Sequence, residues 1–359
     1  MNDLVSIVMP VFNAENYIEN CVKDLIKQSH KHIEIILVDD GSTDNTSLLC
    51  DFLASNIEIV KCYHQKNMGV SSARNLGTEM ATGDFIIYMD ADDFLVHDAI
   101  SEGLRYINRF DVEMVVAREI MVYPGQKLEL TLSQENGYEV LESKDFDELR
   151  KTYLGFQSEK LQKLGKVGEL SGRPCERLIR ADIAKDILFP VEIPLGEDKL
   201  WNLRLLNKCK KVCVLGDCWY QYMIYPDSAV RGYHGNRREK GSIFIKSLYI
   251  ENKRFCNEHR MIFLENIAIM LYCIAFYDLS SKDCPMSNRE KIQYMAETIK
   301  DDPWRILWKG SNSRYLSFAH RAMLLLYKAR LWIIPLKIYK YLKTLKWKHE
   351  TKLLRQDRK

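Results

Sequence analysis

The stretch IEIILVDDGSTDNT, residues 33–46, contains the pattern on which the fold of this chain depends. Its first six residues are largely apolar and β-branched, which is typical of a strand covered on both faces of a sheet. Asp39 and Asp40 follow at once, and then comes a run of turn-forming residues in which we expect Gly41 to have a positive φ and Asp44 to start a helix. The stretch therefore predicts a buried strand, a polar turn and a helix.

The same pattern recurs through the first hundred residues. Strand-like runs alternate with segments such as 15–29, where apolar residues recur at helical spacing. This alternation predicts βαβ units with right-handed crossovers, and hence an α/β fold with a mainly parallel sheet. Ligands of such sheets bind at the carboxyl ends of the strands, where the polar residues of this sequence collect. The predicted strands are 5–12, 33–40, 57–64 and 84–90, and the predicted helices are 15–29, 44–55 and 71–81.

The fourth run ends in YMDADDF, residues 88–94, which places Asp90, Asp92 and Asp93 together at the end of a buried strand. A site edged with acids cannot bind a diphosphate unless a cation reverses the local charge. Mg²⁺ and Mn²⁺ prefer such carboxylates together with substrate phosphate oxygens, so the acids predict a site for Mn²⁺ or Mg²⁺. The glycine-rich motifs of Rossmann dehydrogenases and P-loop NTPases do not occur, which makes both classes poor fits.

Four segments of the chain resemble, in order and spacing, the family 2 glycosyltransferases, which are inverting enzymes with a GT-A fold. The resemblance runs from about Ser6 to about Ser228, and four segments in order are far more specific than a single D-x-D. It implies a Rossmann-like domain, a nucleotide-diphosphate sugar donor, favoured as UDP-linked, and a divalent metal. The segments are SIVMPVFNAENYIENCVKDLIKQSH (6–30), IEIILVDDGSTDNT (33–46), NMGVSSARNLGTEMATGDFIIYMDADD (67–93) and PLGEDKLWNLRLLNKCKKV (194–212).

By this resemblance, the ends of the first two strands bind the nucleotide base. The backbone and ring atoms of Pro10, Phe12 and Asn13 are expected to line the base pocket, and Asn13 also suits a cap for the following helix. Asp40 is expected to accept the imide N–H of the base, ahead of Asp39.

The diphosphate and the sugar are assigned, by the same resemblance, to the next two polar segments. Arg74 is expected to hold the diphosphate or to position the aspartates, and the alternative is a surface ion pair of little energetic value. Asp93 either joins this site or caps a following helix. The implied donor site includes Asn67, Arg74, Asp90, Ala91 and Asp92, with Asp92 and Asp90 as metal ligands.

Two further acids, Glu197 and Asp198, are predicted in the first turn of a helix, where the helix dipole alone would favour them. The resemblance implies more, namely a carboxylate that acts as the general base for the acceptor hydroxyl. We assign this role to Asp198, with Glu197 as an orienting neighbour or substitute.

Weaker signals follow on the acceptor side. The segments CERLIRADI and YPDSAVRG resemble family elements, which implies that Glu176, Arg177, Ser228 and Arg231 touch the acceptor or the diphosphate. His234 is a candidate third metal ligand, although a solvated loop histidine is the favoured interpretation.

The composition, 47% hydrophobic and 28% charged, is that of a globular protein, and 359 residues suffice for a large single domain or for one domain plus a helical appendage. We expect a catalytic domain at 1–235 and a helical region at 236–359 that carries acceptor choice, homo-oligomer formation or membrane attachment. No secretory signal is expected, and the apolar run 267–277 predicts a core helix too short to span a bilayer. The ten cysteines contain no C-x-x-C, which favours reduced thiols over disulfides or zinc ligands.

Charge is concentrated in the tail. Residues 321–359 carry a net charge of +10, whereas the whole chain carries +3, so the preceding residues carry −7. From Pro335 onward, an apolar stripe and several lysines predict a basic amphipathic helix that lies on the inner face of the cell membrane, with a helix packed on protein as the alternative. The stripe is Ile338, Tyr341, Leu342 and Leu345, the lysines are Lys337, Lys340, Lys343 and Lys346, and Trp332 and Trp347 are the interfacial rings.

These features together predict a metal-dependent hexosyl- or N-acetylhexosaminyltransferase. The resemblance implies that its acceptor is a glycan or lipid-linked glycan in bacterial surface polysaccharide synthesis, and no nucleic acid partner is expected. A sugar-phosphate nucleotidyltransferase is the first alternative, but PVFNAEN (10–16) stands where that class needs a glycine-rich loop. A non-catalytic, membrane-peripheral assembly factor is the second, and the intact Asp92 and Asp198 argue against it.

Overall fold

The computed structural model divides the chain into two compact units. The first contains the described residues up to 122, between 126 and 192, and from 197 to 223, and the second contains the others. The structure describes residues 3–123, 132, 137–154, 158–225, 233–252, 266–267, 269–305, 321–322, 325–326, 329, 331, 334–338 and 341.

A nine-stranded sheet forms the centre of the first unit. The strands are β1 Val5–Val11, β2 Ile33–Asp39, β3 Val60–His64, β4 Phe85–Tyr88, β5 Phe94–Leu95, β6 Met114–Val122, β7 Tyr138–Glu142, β8 Arg177–Arg180 and β9 Lys211–Met223. Their order is β3-β2-β1-β4-β8-β6-β9-β5, and β7 pairs with β9 outside this path. The half that runs from β3 to β4 is parallel throughout, and β8 is antiparallel to both β4 and β6. The predicted α/β fold is confirmed.

Helices cover both faces of this sheet. Because successive side chains of β1 point to opposite faces, Ile7 packs in the core layer with α1, α2 and α4, whereas Val8 packs in the layer with α3, α5, α7 and α8. The helices are α1 Ile18–Ile26, α2 Thr46–Asn56, α3 Val70–Met80, α4 Ala99–Phe110, α5 Asp147–Tyr153, α6 Glu159–Gln162, α7 Ala181–Asp186 and α8 Glu197–Lys208.

The four predicted strands and three predicted helices of the first hundred residues are confirmed, with shifted ends. Helix α1 is three residues shorter at each end than predicted. Strand β3 begins at residue 60 rather than 57, because α2 runs to Asn56 and a turn intervenes. Gly41 has the expected positive φ of 71°. A Cβ atom there would lie 2.7 Å from the backbone nitrogen of Asn67, so glycine is required by this close approach as well.

The second unit is helical in the part that the structure describes. It contains α9 Arg237–Asn252, a π-helical turn Ile274–Leu279 and α10 Asn288–Thr298. Ile267, Leu271 and Ile274 are buried, which confirms the predicted core helix for the described part of 267–277. No helix of the described ranges is both long enough and apolar enough to cross a bilayer.

Only a short part of the predicted basic helix is described. Residues 334–338 are helical, with Pro335 in the first turn, and Ile338 and Tyr341 are 37% and 64% exposed. Residues 339–340 and 342–359, as well as Trp332, lie outside the described residues, so the amphipathic tail stays a prediction.

Candidate active site

The candidate site lies at the carboxyl ends of the parallel strands. Val11 of β1 pairs with Asp39 of β2, and Val8 of β1 pairs with Tyr88 of β4, so the polar residues that follow all three strands emerge at one edge of the sheet. This is the edge at which the sequence predicted the donor-binding residues.

Arg74 connects two groups of acids that are far apart in the sequence. Its Nη2 donates a hydrogen bond to Oδ1 of Asp90 at 2.9 Å, and its Nη1 lies 3.6 Å from Oε1 of Glu197. Its guanidinium carbon also lies 5.2 Å from the ring centre of Phe189. The residue is only 5% exposed, so the surface ion-pair alternative is wrong. Burial lowers the pKa of Arg74, but the carboxylates of Asp90 and Glu197 outweigh this effect and raise it above its usual value.

The guanidinium of Arg74 retains hydrogen-bonding capacity. Within the described residues, its buried Nε and Nη1 atoms have no hydrogen-bond acceptor. A buried donor without an acceptor is costly, and a ligand oxygen would satisfy it. The site can therefore accept an anionic group beside Arg74.

The acids after β4 are in different surroundings. The Asp90 side chain is 30% exposed and pairs with Arg74. Burial and the negative charge of Asp90 raise the pKa of Asp92 to about 6. Ala91, between them, is buried. Asp90 and Asp92 are thus two carboxylates that repel each other, and a bound cation would reduce this repulsion.

Asp93 does not cap a helix, which is a correction to one of the two alternatives. It precedes the short strand β5, and its fully buried carboxylate accepts hydrogen bonds from the hydroxyl of Tyr220 at 2.6 Å and the backbone N–H of Met223 at 2.7 Å. Burial and the charges of Asp90 and Asp92 raise its pKa well above the usual range. Asp93 therefore fixes the acidic segment to β9.

Tyr220 is a site residue that the sequence did not reveal. Besides its bond to Asp93, its hydroxyl accepts the backbone N–H of Asp90 at 3.2 Å. The partners lie about 130 residues apart, and the tyrosine lies within strand β9, in a segment that carries no recognised motif. Its role could be found only from the pairing of β9 in the sheet.

The carboxylate of Asp40 organises the loop before α3. It accepts hydrogen bonds from the side chain of Gln65 at 2.6 Å and from the backbone N–H groups of Met68 and Gly69 at 2.8 and 2.9 Å. A carboxylate offers about four acceptor positions, so one remains for a ligand. Asn67, in the same loop, is exposed.

The end of β1 is held by the turn after β2. Pro10 is partly buried in β1, and the Phe12 ring is exposed. Asn13 has a positive φ of 49°, and its Oδ1 accepts the backbone N–H of Thr43 at 2.8 Å. The N-cap of α1 is Tyr17. The proposed capping by Asn13 is therefore wrong, because its side chain bonds across to the neighbouring turn.

Glu197 and Asp198 lie in the first turn of α8, as predicted. Burial and the adjacent Asp198 raise the pKa of Glu197 to about 7, although Arg74 acts in the opposite direction. Oδ1 of Asp198 accepts the backbone N–H of Lys199 at 2.7 Å. The structure therefore directs Glu197 to Arg74 and leaves Asp198 partly exposed on the same helical turn.

The acceptor-side interpretation of Glu176 and Arg177 is wrong. Both side chains are fully buried and pair with each other at 2.6 Å, and Arg177 also donates to Asn202. These contacts fix the start of β8 to α8, so neither side chain is accessible to a substrate. Ser228 and Arg231 lie outside the described residues. His234 belongs to the second unit, where its backbone N–H donates to Asp278.

Comparisons with known proteins show the family and the fold of this chain. The model of the glycosyl transferase family 2 matches residues 6–187, which is half of the chain. Glycosyltransferase GlyG of Streptococcus pneumoniae is 37% identical over 117 residues, which is 32% of this chain and 39% of GlyG. Glycosyltransferase GlyA of the same organism is 25% identical over 235 residues, which is 64% of this chain and 32% of GlyA. This chain thus spans well under half the length of these two relatives.

Two further similarities extend over most of the chain. Putative glycosyltransferase EpsH of Bacillus subtilis is 27% identical over 261 residues, which is 71% of this chain and 70% of EpsH. The crystal structure of S. aureus TarS 1–349 in complex with UDP-GlcNAc superposes with a TM-score of 0.60 at 18% identity, covering 96% of this chain and 92% of that one. This likeness shows a shared fold, and the expected GT-A fold is confirmed.

Proposed function

This chain belongs to glycosyl transferase family 2, and we propose that it transfers a hexose or N-acetylhexosamine from a UDP-linked donor to a hydroxyl group of a glycan or lipid-linked glycan. The observation that carries this proposal is Arg74, which joins the acids after β4 to those that begin α8 and has buried N–H groups without an acceptor among the described residues. TarS, which shares the fold, binds UDP-GlcNAc, and this supports a UDP-linked donor.

The donor base lies, in this proposal, between the ends of β1 and β2. Pro10, Phe12 and Asn13 provide its walls, and the remaining acceptor position of Asp40 takes its imide N–H. The hydrogen bonds that fix Asp40 and Asn13 to neighbouring turns support a preformed pocket, since neither side chain is free to rotate away.

The diphosphate lies beside Arg74, with Asn67 at the rim of the loop. Nε and Nη1 of Arg74 donate to its oxygens, which satisfies two buried donors at once. Asp90 and Ala91 contact the ribose and the sugar, and Asp90 is oriented by its bond to Arg74.

Asp90 and Asp92 fit a Mn²⁺ or Mg²⁺ ion. They are hard oxygen donors, and their mutual repulsion, expressed in the raised pKa of Asp92, favours a bound cation. When bound, the ion would neutralise the charge that develops on the departing diphosphate. Asp93 is not available as a further ligand, because Tyr220 and Met223 occupy its carboxylate.

Asp198 acts as the general base. Its carboxylate removes the proton from the acceptor hydroxyl while the acceptor oxygen forms a bond to the anomeric carbon. The bond from that carbon to the diphosphate oxygen breaks at the same time, so the nucleoside diphosphate leaves with the electron pair and the configuration inverts. Glu197 is held by Arg74 on the donor side, which supports its role as the orienting neighbour.

The region beyond the catalytic domain completes the proposal. We assign residues 1–235 to catalysis and 236–359 to acceptor choice and attachment. The net charge of +10 in residues 321–359 and the exposed Ile338 and Tyr341 support binding to an anionic membrane face, where a lipid-linked acceptor of surface polysaccharide synthesis would be found.

Incubation of the purified protein with Mn²⁺ and a panel of nucleotide sugars, with release of nucleoside diphosphate as the readout, tests the proposal. One UDP-sugar is expected to be hydrolysed fastest, and Asp92→Ala is expected to lose both this activity and the Mn²⁺ dependence of UDP affinity measured by calorimetry. UDP affinity that is the same with and without Mn²⁺ in the wild type and in the variant would contradict the metal role.

A further inference from the structure

We propose that Asp51, Cys62 and His64 form a Zn²⁺ site on the edge strand β3, separate from the acids that follow β4. Of the described residues, these three bring side-chain donor atoms of three kinds, a carboxylate oxygen, a thiol sulfur and an imidazole nitrogen, within 4.8 Å of one another. Sulfur and imidazole ligands favour Zn²⁺ over the Mn²⁺ or Mg²⁺ that the strand-end acids suit.

The local fold explains why these residues meet. Cys62 and His64 are two positions apart on β3, so their side chains point to the same face of the sheet. The helix α2 covers that face and carries Asp51. Because β3 is an end strand of the sheet, the cluster lies at an edge, where the side chains of His64 and Asp51 are 40% and 60% exposed. A cation therefore has a path from solvent.

The distances are close to those of a zinc site. Zinc bonds of about 2.3 Å to sulfur and about 2.0 Å to nitrogen or oxygen, at tetrahedral angles, require about 3.5 Å between sulfur and nitrogen and about 3.3 Å between nitrogen and oxygen. Sγ of Cys62 lies 3.4 Å from Nε2 of His64, and Nε2 lies 2.9 Å from Oδ1 of Asp51. Shifts of under half an ångström would suffice for these two pairs.

The surrounding contacts are those that orient zinc ligands. Nδ1 of His64 lies 3.1 Å from Oδ2 of Asp39, the carboxylate–histidine arrangement that leaves the other ring nitrogen for the metal. Three protein ligands leave a fourth tetrahedral position for water.

An ion pair of protonated His64 with Asp39 and Asp51 is the competing explanation. It accounts for the two carboxylates but not for the sulfur, because Sγ of Cys62 approaches the same ring nitrogen that contacts Asp51. A carboxylate oxygen and a thiol sulfur that both approach one imidazole nitrogen form, with that nitrogen, three donors that a single metal ion can share.

Metal titration of the full-length, reduced protein, first freed of metal with a chelator, tests this site. Co²⁺ serves as the probe, since it replaces Zn²⁺ and gives a thiolate-to-cobalt charge-transfer absorption, and competition with a chromophoric chelator gives the Kd for Zn²⁺. The charge-transfer absorption is expected to saturate at one equivalent of Co²⁺. Cys62→Ser should abolish the absorption. Asp51→Asn and His64→Gln should each raise the Kd for Zn²⁺ by about tenfold to hundredfold.

Two control variants separate this site from others. Cys284→Ser changes another cysteine that is not fully buried, and Asp92→Ala changes the proposed Mn²⁺ site, so both should keep the absorption and the affinity. Absence of the absorption in folded wild-type protein, or its survival in Cys62→Ser, would overturn the proposal. If Cys62→Ser does not fold, the exposed Asp51 and His64 variants decide, and unchanged affinity in both would also overturn it.

Discussion

Replacement of Arg74 by methionine removes the buried cation that holds Asp90 and Glu197 together. At an effective dielectric constant of about 20, charges 2.9 Å and 3.6 Å apart attract by about 6 and about 5 kcal/mol, most of which the cost of burying the ions offsets. Removing one partner of a buried pair costs about 3–5 kcal/mol. Because the Asp90 side chain is 30% exposed, we expect the lower end, a fall of about 3 kcal/mol in the free energy of unfolding.

Urea unfolding followed by tryptophan fluorescence measures this loss. Trp201 is a suitable reporter, since it is buried and stacks at 4.3 Å on Phe189, whose ring also contacts Arg74. Arg105→Met is the matched control, because its partner Glu102 lies on the same helix and the arginine side chain is 45% exposed. Exposed pairs of this kind contribute at most about 1 kcal/mol.

A double-mutant cycle with Glu197→Gln tests the link between the two acidic groups. The loss caused by Arg74→Met should be at least about 1 kcal/mol smaller in the Glu197→Gln background, because a neutral partner no longer needs the cation. Additive losses within about 0.5 kcal/mol, or a loss in Arg74→Met no larger than in Arg105→Met, would refute the reasoning.

Three other predictions concern catalysis, pH and the tail. Asp198→Asn keeps the size and helix position of the side chain, yet should lower turnover about 10²–10⁴-fold at nearly unchanged donor affinity. Wild-type turnover of this variant in steady-state assays would show that Asp198 only stabilises the start of α8. Burial raises the pKa of Glu34, but hydrogen bonds from Lys61, Ser6 and Thr82 together lower it to about 2. Its ionised form therefore stabilises the fold fully above about pH 4.5, and this contribution is lost as the pH falls towards 2. Glu34→Gln should cost about 3 kcal/mol at pH 7 in urea unfolding, with a deficit that shrinks between pH 4.5 and 2, and a constant deficit would contradict the assignment. Deletion of residues 334–359 should abolish cosedimentation with anionic vesicles at low salt while donor hydrolysis persists. If the full-length protein does not bind such vesicles, the alternative of a helix packed on protein explains the tail.

The sequence alone determined the first half of the sheet and the polar edge beside it. Strands β1 to β4 and helices α1 to α3 follow from local patterns. Strands β1, β2 and β4 are buried on both faces and each helix has an apolar face, so each requirement is met within a few consecutive residues. The positions of the acids after β4 and at the start of α8 could also be predicted from the sequence, since strand ends and helix starts have local signals.

Only the tertiary structure decided how those pieces meet. Arg74, Asp90 and Glu197 span more than 120 residues of sequence, and no local pattern says that one guanidinium touches both carboxylates. The same reason explains why Asp93 binds Tyr220 rather than a helix end, and why Glu176 and Arg177 are in the core. An aspartate or glutamate can act as a helix cap, as part of a buried ion pair or as a ligand. Its residue type does not distinguish these roles, because the role depends on which distant strand the sheet places beside it.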